Sequence, residues 1–316
     1  MASALCALAP SASLLSVWRF VQGASGGGGI VLARAVAADL TSGVAAARLF
    51  SLFMTVSSVA PILAPVLGGA LLAATGDWRP MFWLLTATSL VLAAATWRAI
   101  PETLPLEKRH AGGLRQTGRA FATLALDRVF VGYALTVAFA YASLFGYIAG
   151  SSFALQDLYG LSATQFSLVF ALNATGMIVL GLLNARLVRR FPVRGLLLAG
   201  LLASTVAAMV LLGVVLGGLG LVAVLIPLFV VVATRGLVSS NATVLGVQRA
   251  PVAGSASAVL GALMFTGGIV VTPLMALGED TAVPMVAVVA GGAIAALLAT
   301  ALLTRGARRT TPAGSG

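Results

Sequence analysis

Few side chains in this 316-residue sequence are equipped for covalent or redox chemistry, and their spacing argues against it. There is one cysteine, Cys6, and one histidine, His110. A lone thiol closes no internal disulfide, and Cys6 has no Cys or His at metal-ligand spacing, so neither redox nor metal chemistry is indicated and no cofactor is expected. Gly23-Ala24-Ser25-Gly26, extended by Gly27, has the letters of a serine-nucleophile motif. Serine catalysis needs a base within hydrogen-bond reach, and the only imidazole lies in a distant polar stretch. The run therefore reads as helix packing, and no enzymatic activity is expected.

The informative residues are polar groups stranded inside apolar runs. Arg19 stands six residues into such a run, with Gln22 three positions on and so on the same helical face, followed by Gly23. An arginine at that depth either snorkels to the nearer interface or faces a polar interior where charge is handled. Arg235 lies near the middle of another run, with Ser239 one turn on and Asn241 beyond it. It faces a cavity or pairs with a backbone carbonyl, unless its helix begins late enough to make it interfacial. Tyr133, Tyr141, Phe145 and Tyr147 form an aromatic group, and Asn173 is a polar contact on the following run. Helical spacing of rings suits packing, lipid contact or an apolar ligand. Pro65 followed by Gly68 and Gly69 allows a bend and a close helix approach, whether for packing or for domain movement. Asn173-Ala174-Thr175 and Asn241-Ala242-Thr243 spell glycosylation sequons, but both fall within apolar runs.

The elements that must hold these residues follow from composition. With 60% hydrophobic and 9% charged residues and a mean hydropathy of +1.07, the chain cannot be a water-soluble globule. A membrane crossing takes about 20 apolar residues. The runs and their breakers predict nine full-length transmembrane helices, at about 13–38, 44–74, 78–98, 129–154, 162–185, 194–216, 219–247, 253–277 and 282–304. One partial helix precedes Pro10. An all-α, polytopic membrane protein is expected, with the lipid bilayer as its surroundings.

The net charge of +11 raises the question of nucleic acid, and the placement of the charges answers it. Fifteen of the 19 basic residues fall in alternate loops on one face: Arg48; Arg98 to Arg128; Arg186 to Arg194; Arg249; and Arg305 to Arg309. The other face has only Arg79, with Asp77, Asp157, Glu279 and Asp280. Such an asymmetry is a topology signal rather than a phosphate-binding stripe. It places the basic face and the C-terminus in the cytoplasm, and no nucleic-acid partner is expected. The polar stretch 99–128 divides an incomplete front bundle, 1–98, from a six-helix bundle, 129–304, with a cytoplasmic tail at 305–316.

Leu15-Ser16-Val17-Trp18-Arg19-Phe20-Val21-Gln22-Gly23 resembles the LxxxRxxQG element of major facilitator antiporters, and Pro65-Val66-Leu67-Gly68-Gly69 resembles the PxxGG end of their fifth-helix motif. Alanines stand at 60 and 64, where that pattern has glycine. The runs Gly76-Asp77-Trp78-Arg79, Pro101-Glu102-Thr103-Leu104, Phe145 to Phe153 and Ala253 to Ala258 are similar to the Bcr/CflA drug-resistance branch, although Ser240 stands where that branch has proline. The resemblance covers the family's order from the end of its third helix to its twelfth. It implies a fold of two helical bundles in the cell membrane, working by alternating access as a monomer, and export of small drug-like molecules in exchange for protons. It assigns Arg19, Gln22 and Gly23 to proton or substrate traffic, Pro65, Gly68 and Gly69 to helix bending, and Tyr141, Phe145, Asn173, Arg235 and Asn241 to the substrate cavity. None of the eight acids falls within a span, and the family's coupling acid belongs to its first helix. The natural chain is therefore expected to begin upstream of Met1. The rival expectations are a facilitator for a native metabolite and a truncated product without transport.

Overall fold

The computed structural model describes residues 1–40, 63–99, 122–249, 253–275 and 281–305. The start of the expected span 44–74, most of the polar stretch 99–128 with His110, and the tail beyond Arg305 lie outside the described residues. The chain divides into two compact units, Met1–Ala111 and Gly112–Gly316.

In the first unit, α1 (Ala2–Ala7) packs against α2 (Ala12–Leu40) and α4 (Arg79–Ala99), with α3 (Leu63–Thr75) between α2 and α4 in the chain. The loop before α4 is built from its own residues. Asp77 Oδ1 accepts from the Arg79 backbone N–H at 3.2 Å, and the Arg79 guanidinium lies over the Trp78 ring, 4.7 Å from its centroid. Both contacts are local, which explains why a four-residue run suffices to turn the chain.

The second unit is a bundle of α5 (Arg128–Ser152), α6 (Ala163–Leu187), α7 (Val193–Leu216), α8 (Leu221–Ala233), α9 (Arg235–Arg249), α10 (Ala253–Met275) and α11 (Val283–Leu303). A π-helical turn, Phe153–Leu158, carries α5 onward. Asp127 caps α5, its Oδ1 accepting from the Val129 and Phe130 backbone N–H groups. Ser162 and Gln165 form a reciprocal capping box on α6. α5 is the central helix and packs against α9, α10 and α11, while α9 also touches α6 and α7. Without a hydrophobic drive in lipid, such contacts rest on close backbone approach and interhelical hydrogen bonds. Both are present between α5 and α11: Gly292 sets its backbone where a Cβ would fall 2.9 Å from the Phe139 carbonyl oxygen, and the buried hydroxyls of Thr136 and Thr300 meet at 2.6 Å. Outward-facing apolar side chains such as Val206, Val222 and Ile226 stay exposed, as lipid-facing residues do.

Among the described residues, seven helices are long and apolar enough to cross a membrane: Arg79–Ala99, Arg128–Leu158, Ala163–Leu187, Val193–Leu216, Leu221–Arg249, Ser255–Met275 and Val283–Leu303. Of the nine that the sequence suggested, the span 44–74 begins outside the described residues, which hold its end as Leu63–Thr75. α2, with 29 residues, is long enough, but Arg19, Gln22, Arg34 and its glycine run dilute its apolarity. The chain is a multi-pass membrane protein. The expected run 219–247 is one span, Leu221–Arg249, with Thr234 as a single turn residue between α8 and α9.

Candidate functional site

In the first unit the predicted pair on α2 is in contact. Arg19 Nη1 donates to Gln22 Oε1 at 2.6 Å, and Gln22 Nε2 donates in turn to Ser3 Oγ on α1 at 2.8 Å. The guanidinium also lies over the Phe82 ring of α4, 5.6 Å from its centroid. One arginine thus reaches an amide on its own helix and a ring on another, and the amide extends the link to a third. Arg19 itself is exposed in its unit and Gln22 half-buried. Among the described residues no atom lies near the position of a Cβ on Gly23, whereas Gly68 faces Met81 of α4. Pro65 and Gly69 are half-buried on α3.

Arg235 is the most polar group at the heart of the second unit. It is 2% exposed. Its Nη1 donates to the Ala140 carbonyl at 3.0 Å, and its Nη2 donates to Ser204 Oγ at 2.7 Å and to Ser143 Oγ at 3.3 Å. These acceptors lie on α5 and α7, so one side chain ties three helices together. Ser143 is oriented for this by donating its own proton to the Val289 carbonyl at 3.0 Å, which leaves its oxygen free to accept. Nε is buried with no hydrogen-bond partner among the described residues. Among the described residues no carboxylate enters this shell, and the charge is held by neutral acceptors alone. The Tyr141 hydroxyl lies beside the site, close enough to interact with the Arg235 charge.

Local backbone explains the depth of this residue. Thr234 Oγ1, at the turn between α8 and α9, donates back to the Val230 and Val231 carbonyls, at 2.9 Å each. Immediately after Arg235, Gly236 sits against the α6 backbone. A Cβ there would meet the Met177 carbonyl oxygen and lie 2.8 Å from the Gly181 nitrogen. Only a glycine lets α9 seat so closely.

The remaining predicted residues separate into three contacts. Asn173 Nδ2 donates to the Tyr147 hydroxyl at 3.0 Å, and the Tyr147 ring stacks on Phe170 with centroids 5.4 Å apart. Asn241 forms a reciprocal amide pair with Asn184 of α6: each Nδ2 donates to the other's Oδ1, at 3.1 Å and 2.8 Å. Phe145 packs on Phe265 of α10, with centroids 6.4 Å apart. Arg235 and Tyr141 thus come together, whereas Asn173, Asn241 and Phe145 each serve a different helix pair. Sequence reading passed over Ser143, Ser204 and Asn184, because hydroxyls and amides are ordinary at membrane helix interfaces. Asn184, an amide inside an apolar run, was the one with a signal. The serine of the GxSG letters donates its hydroxyl to the Val21 carbonyl at 2.8 Å, inside its own helix.

Chemically, Arg235 can orient or neutralise a polar group, but it cannot carry a proton across, since a guanidinium keeps its proton.

Residues 1–273 match the family described as Major Facilitator Superfamily. The chain is 35% identical over 307 residues to an uncharacterized MFS-type transporter, YdgK, of Bacillus subtilis (strain 168), an alignment spanning 96% of this chain and 76% of that protein. It is 30% identical over 288 residues to a bicyclomycin resistance protein homolog of Haemophilus influenzae, spanning 90% and 72%. The multidrug resistance protein MdtL of Salmonella heidelberg is 28% identical over 174 residues, 55% of this chain and 43% of that one. Among solved structures, a bacterial homolog of the human lysosomal transporter Spinster superposes with a TM-score of 0.64 at 16% identity, over 96% of this chain and 80% of that one. At that identity the likeness speaks for the fold, which is the major facilitator fold.

Proposed function

A chain that belongs to the Major Facilitator Superfamily, as this one does, handles small molecules at a membrane, and we propose that here they are amphipathic and drug-like and leave the cell in exchange for protons. The reading places the protein in the Bcr/CflA branch, in the cell membrane, as a monomer with its basic face and C-terminus in the cytoplasm. Alternating access supplies the movement. Arg19 and Gln22 act in proton or substrate traffic, Pro65, Gly68 and Gly69 let a helix bend, and Tyr141, Phe145, Asn173, Arg235 and Asn241 contribute polar and aromatic contacts to the substrate.

The observation that carries this is Arg235. A charge at the centre of a membrane span costs about 2.5 to 3.5 kcal/mol on insertion scales. A purely structural tie between helices needs no charge, as the neutral Asn184–Asn241 pair illustrates. Two of the relatives carry drug or antibiotic resistance in their names, which supports the choice of substrate class.

The test expresses the protein, with any coding sequence its reading frame holds upstream of Met1, in cells lacking other pumps. Everted vesicles then report uptake of a fluorescent cationic drug before and after a protonophore. Gradient-dependent uptake is expected, with at least a tenfold loss for Arg235→Met at equal membrane insertion. Uptake by the unmutated protein that ignores the gradient would refute proton antiport.

A further inference from the structure

At one end of the second unit, the start of α5 and the end of α11 enclose a cleft of about 580 Å³, lined by Arg128, Val129, Leu302, Leu303 and Arg305. Its chemistry is two-sided. Arg128 and Arg305 are exposed at the rim. Val129, Leu302 and Leu303 make an apolar wall, and Leu302 is 46% exposed. Among the described residues Arg128 spends a single N–H, from Nη2 to the Leu302 carbonyl at 3.1 Å. That bond caps the negative end of α11 and holds the guanidinium at the mouth, with most of its donors unspent.

The surroundings say what fits. The Arg249–Asp127 contact at 3.5 Å, the Arg128–Leu302 bond and the Arg194–Thr304 bond at 3.4 Å place the ends of α5, α7, α9 and α11 together. Among the described residues, Asp127 is the only carboxylate near these ends, and Arg249 already pairs with it. Both walls of the cleft are tips of membrane-crossing helices, so the arginines stand at headgroup depth while the apolar wall continues toward the hydrocarbon. A basic pocket between helix ends, on the face that the positive-inside rule assigns to the cytoplasm, suits an anionic lipid headgroup. We propose that this cleft binds one anionic phospholipid, its phosphate on Arg128 and Arg305 and its first acyl carbons along Val129, Leu302 and Leu303.

The purified 316-residue chain, delipidated in detergent, is titrated with phosphatidylglycerol or phosphatidylcholine and read by native mass spectrometry. One phosphatidylglycerol should bind in preference to phosphatidylcholine. Each arginine removed should weaken it about fivefold, so Arg128→Gln/Arg305→Gln together should weaken it about twenty-five-fold. The control Arg189→Gln/Arg190→Gln removes the same charge outside the cleft and should stay within twofold. Equal weakening in both double variants would mean a diffuse surface field and overturn the site, as would equal binding of the two lipids. Inorganic phosphate that protects Arg128 from an arginine-directed reagent as well as phosphatidylglycerol does would make this a phosphate site and overturn the lipid assignment. If melting shows that the double variant is unfolded, Arg305→Gln alone, expected to weaken binding fivefold, decides the matter.

Discussion

Replacing Gly236 by alanine measures how tightly the seat of Arg235 is built. The added Cβ would meet the Met177 carbonyl oxygen and approach the Gly181 nitrogen to 2.8 Å. Both neighbours are α6 backbone, so neither can rotate aside, and α9 has to move. Overpacking of this kind costs about 1 to 3 kcal/mol, with the upper end apt where nothing can yield. The better helix propensity of alanine returns at most about 1 kcal/mol, which leaves roughly 2 kcal/mol of net destabilisation. Gly261 and Gly291 are the controls: each lies in a helix, and among the described residues no atom stands within 4 Å of a Cβ placed there. Alanine at either site keeps the propensity gain without the clash. The gap between Gly236→Ala and Gly291→Ala is therefore about 3 kcal/mol, or roughly 6 to 12 °C in melting temperature for a unit of this size. Thermal unfolding of the purified chain in detergent, followed by far-ultraviolet circular dichroism, reads it directly. Melting of Gly236→Ala within 2 °C of Gly291→Ala would show that the α6–α9 crossing is not the constraint argued above.

Three further outcomes are expected. In a double-mutant cycle, Asn184→Ala and Asn241→Ala should couple by about 0.6 to 1.7 kcal/mol, the range for hydrogen bonds between membrane helices; strictly additive losses in denaturant unfolding would deny the pair any energetic role. Arg19→Ala should insert normally yet lose gradient-driven export in everted vesicles, and export at the unmutated rate would reduce Arg19 to an interfacial anchor. In a Cys6→Ala background, Gly112→Cys should react with an impermeant maleimide only after cells are permeabilised, whereas labelling of intact cells would put the central stretch outside.

The helices of the second unit were legible because each apolar run is punctuated by glycine, proline or arginine. The expected 162–185, 194–216 and 282–304 lie within two residues of α6, α7 and α11. Composition gave no sign of the π-helical turn at Phe153–Leu158, since it lies in an uninterrupted span and changes no residue type. The turn residue at Thr234 between α8 and α9 was equally silent in the composition. The Arg19–Gln22 contact could be read in advance because it spans three residues of one helix. The acceptors of Arg235 lie 31 to 95 residues away in the chain, and only the packing of α5, α7 and α9 selects Ser143 and Ser204 from the other hydroxyls of the bundle.

The guanidinium of Arg235 also has an electrical meaning. Among the described residues it has no neutralising carboxylate in its shell, so any displacement of α9 along the membrane normal moves net charge through the transmembrane field. A full crossing by one elementary charge is worth about 2.3 kcal/mol at 100 mV. A shift of about 3 Å, a tenth of the hydrocarbon thickness, is then worth only about 0.2 kcal/mol. That is less than half of a single interhelical hydrogen bond in a membrane, and Arg235 makes three such bonds. Voltage is accordingly a weak lever on this residue, and a chemical partner able to compete for its donors is a strong one.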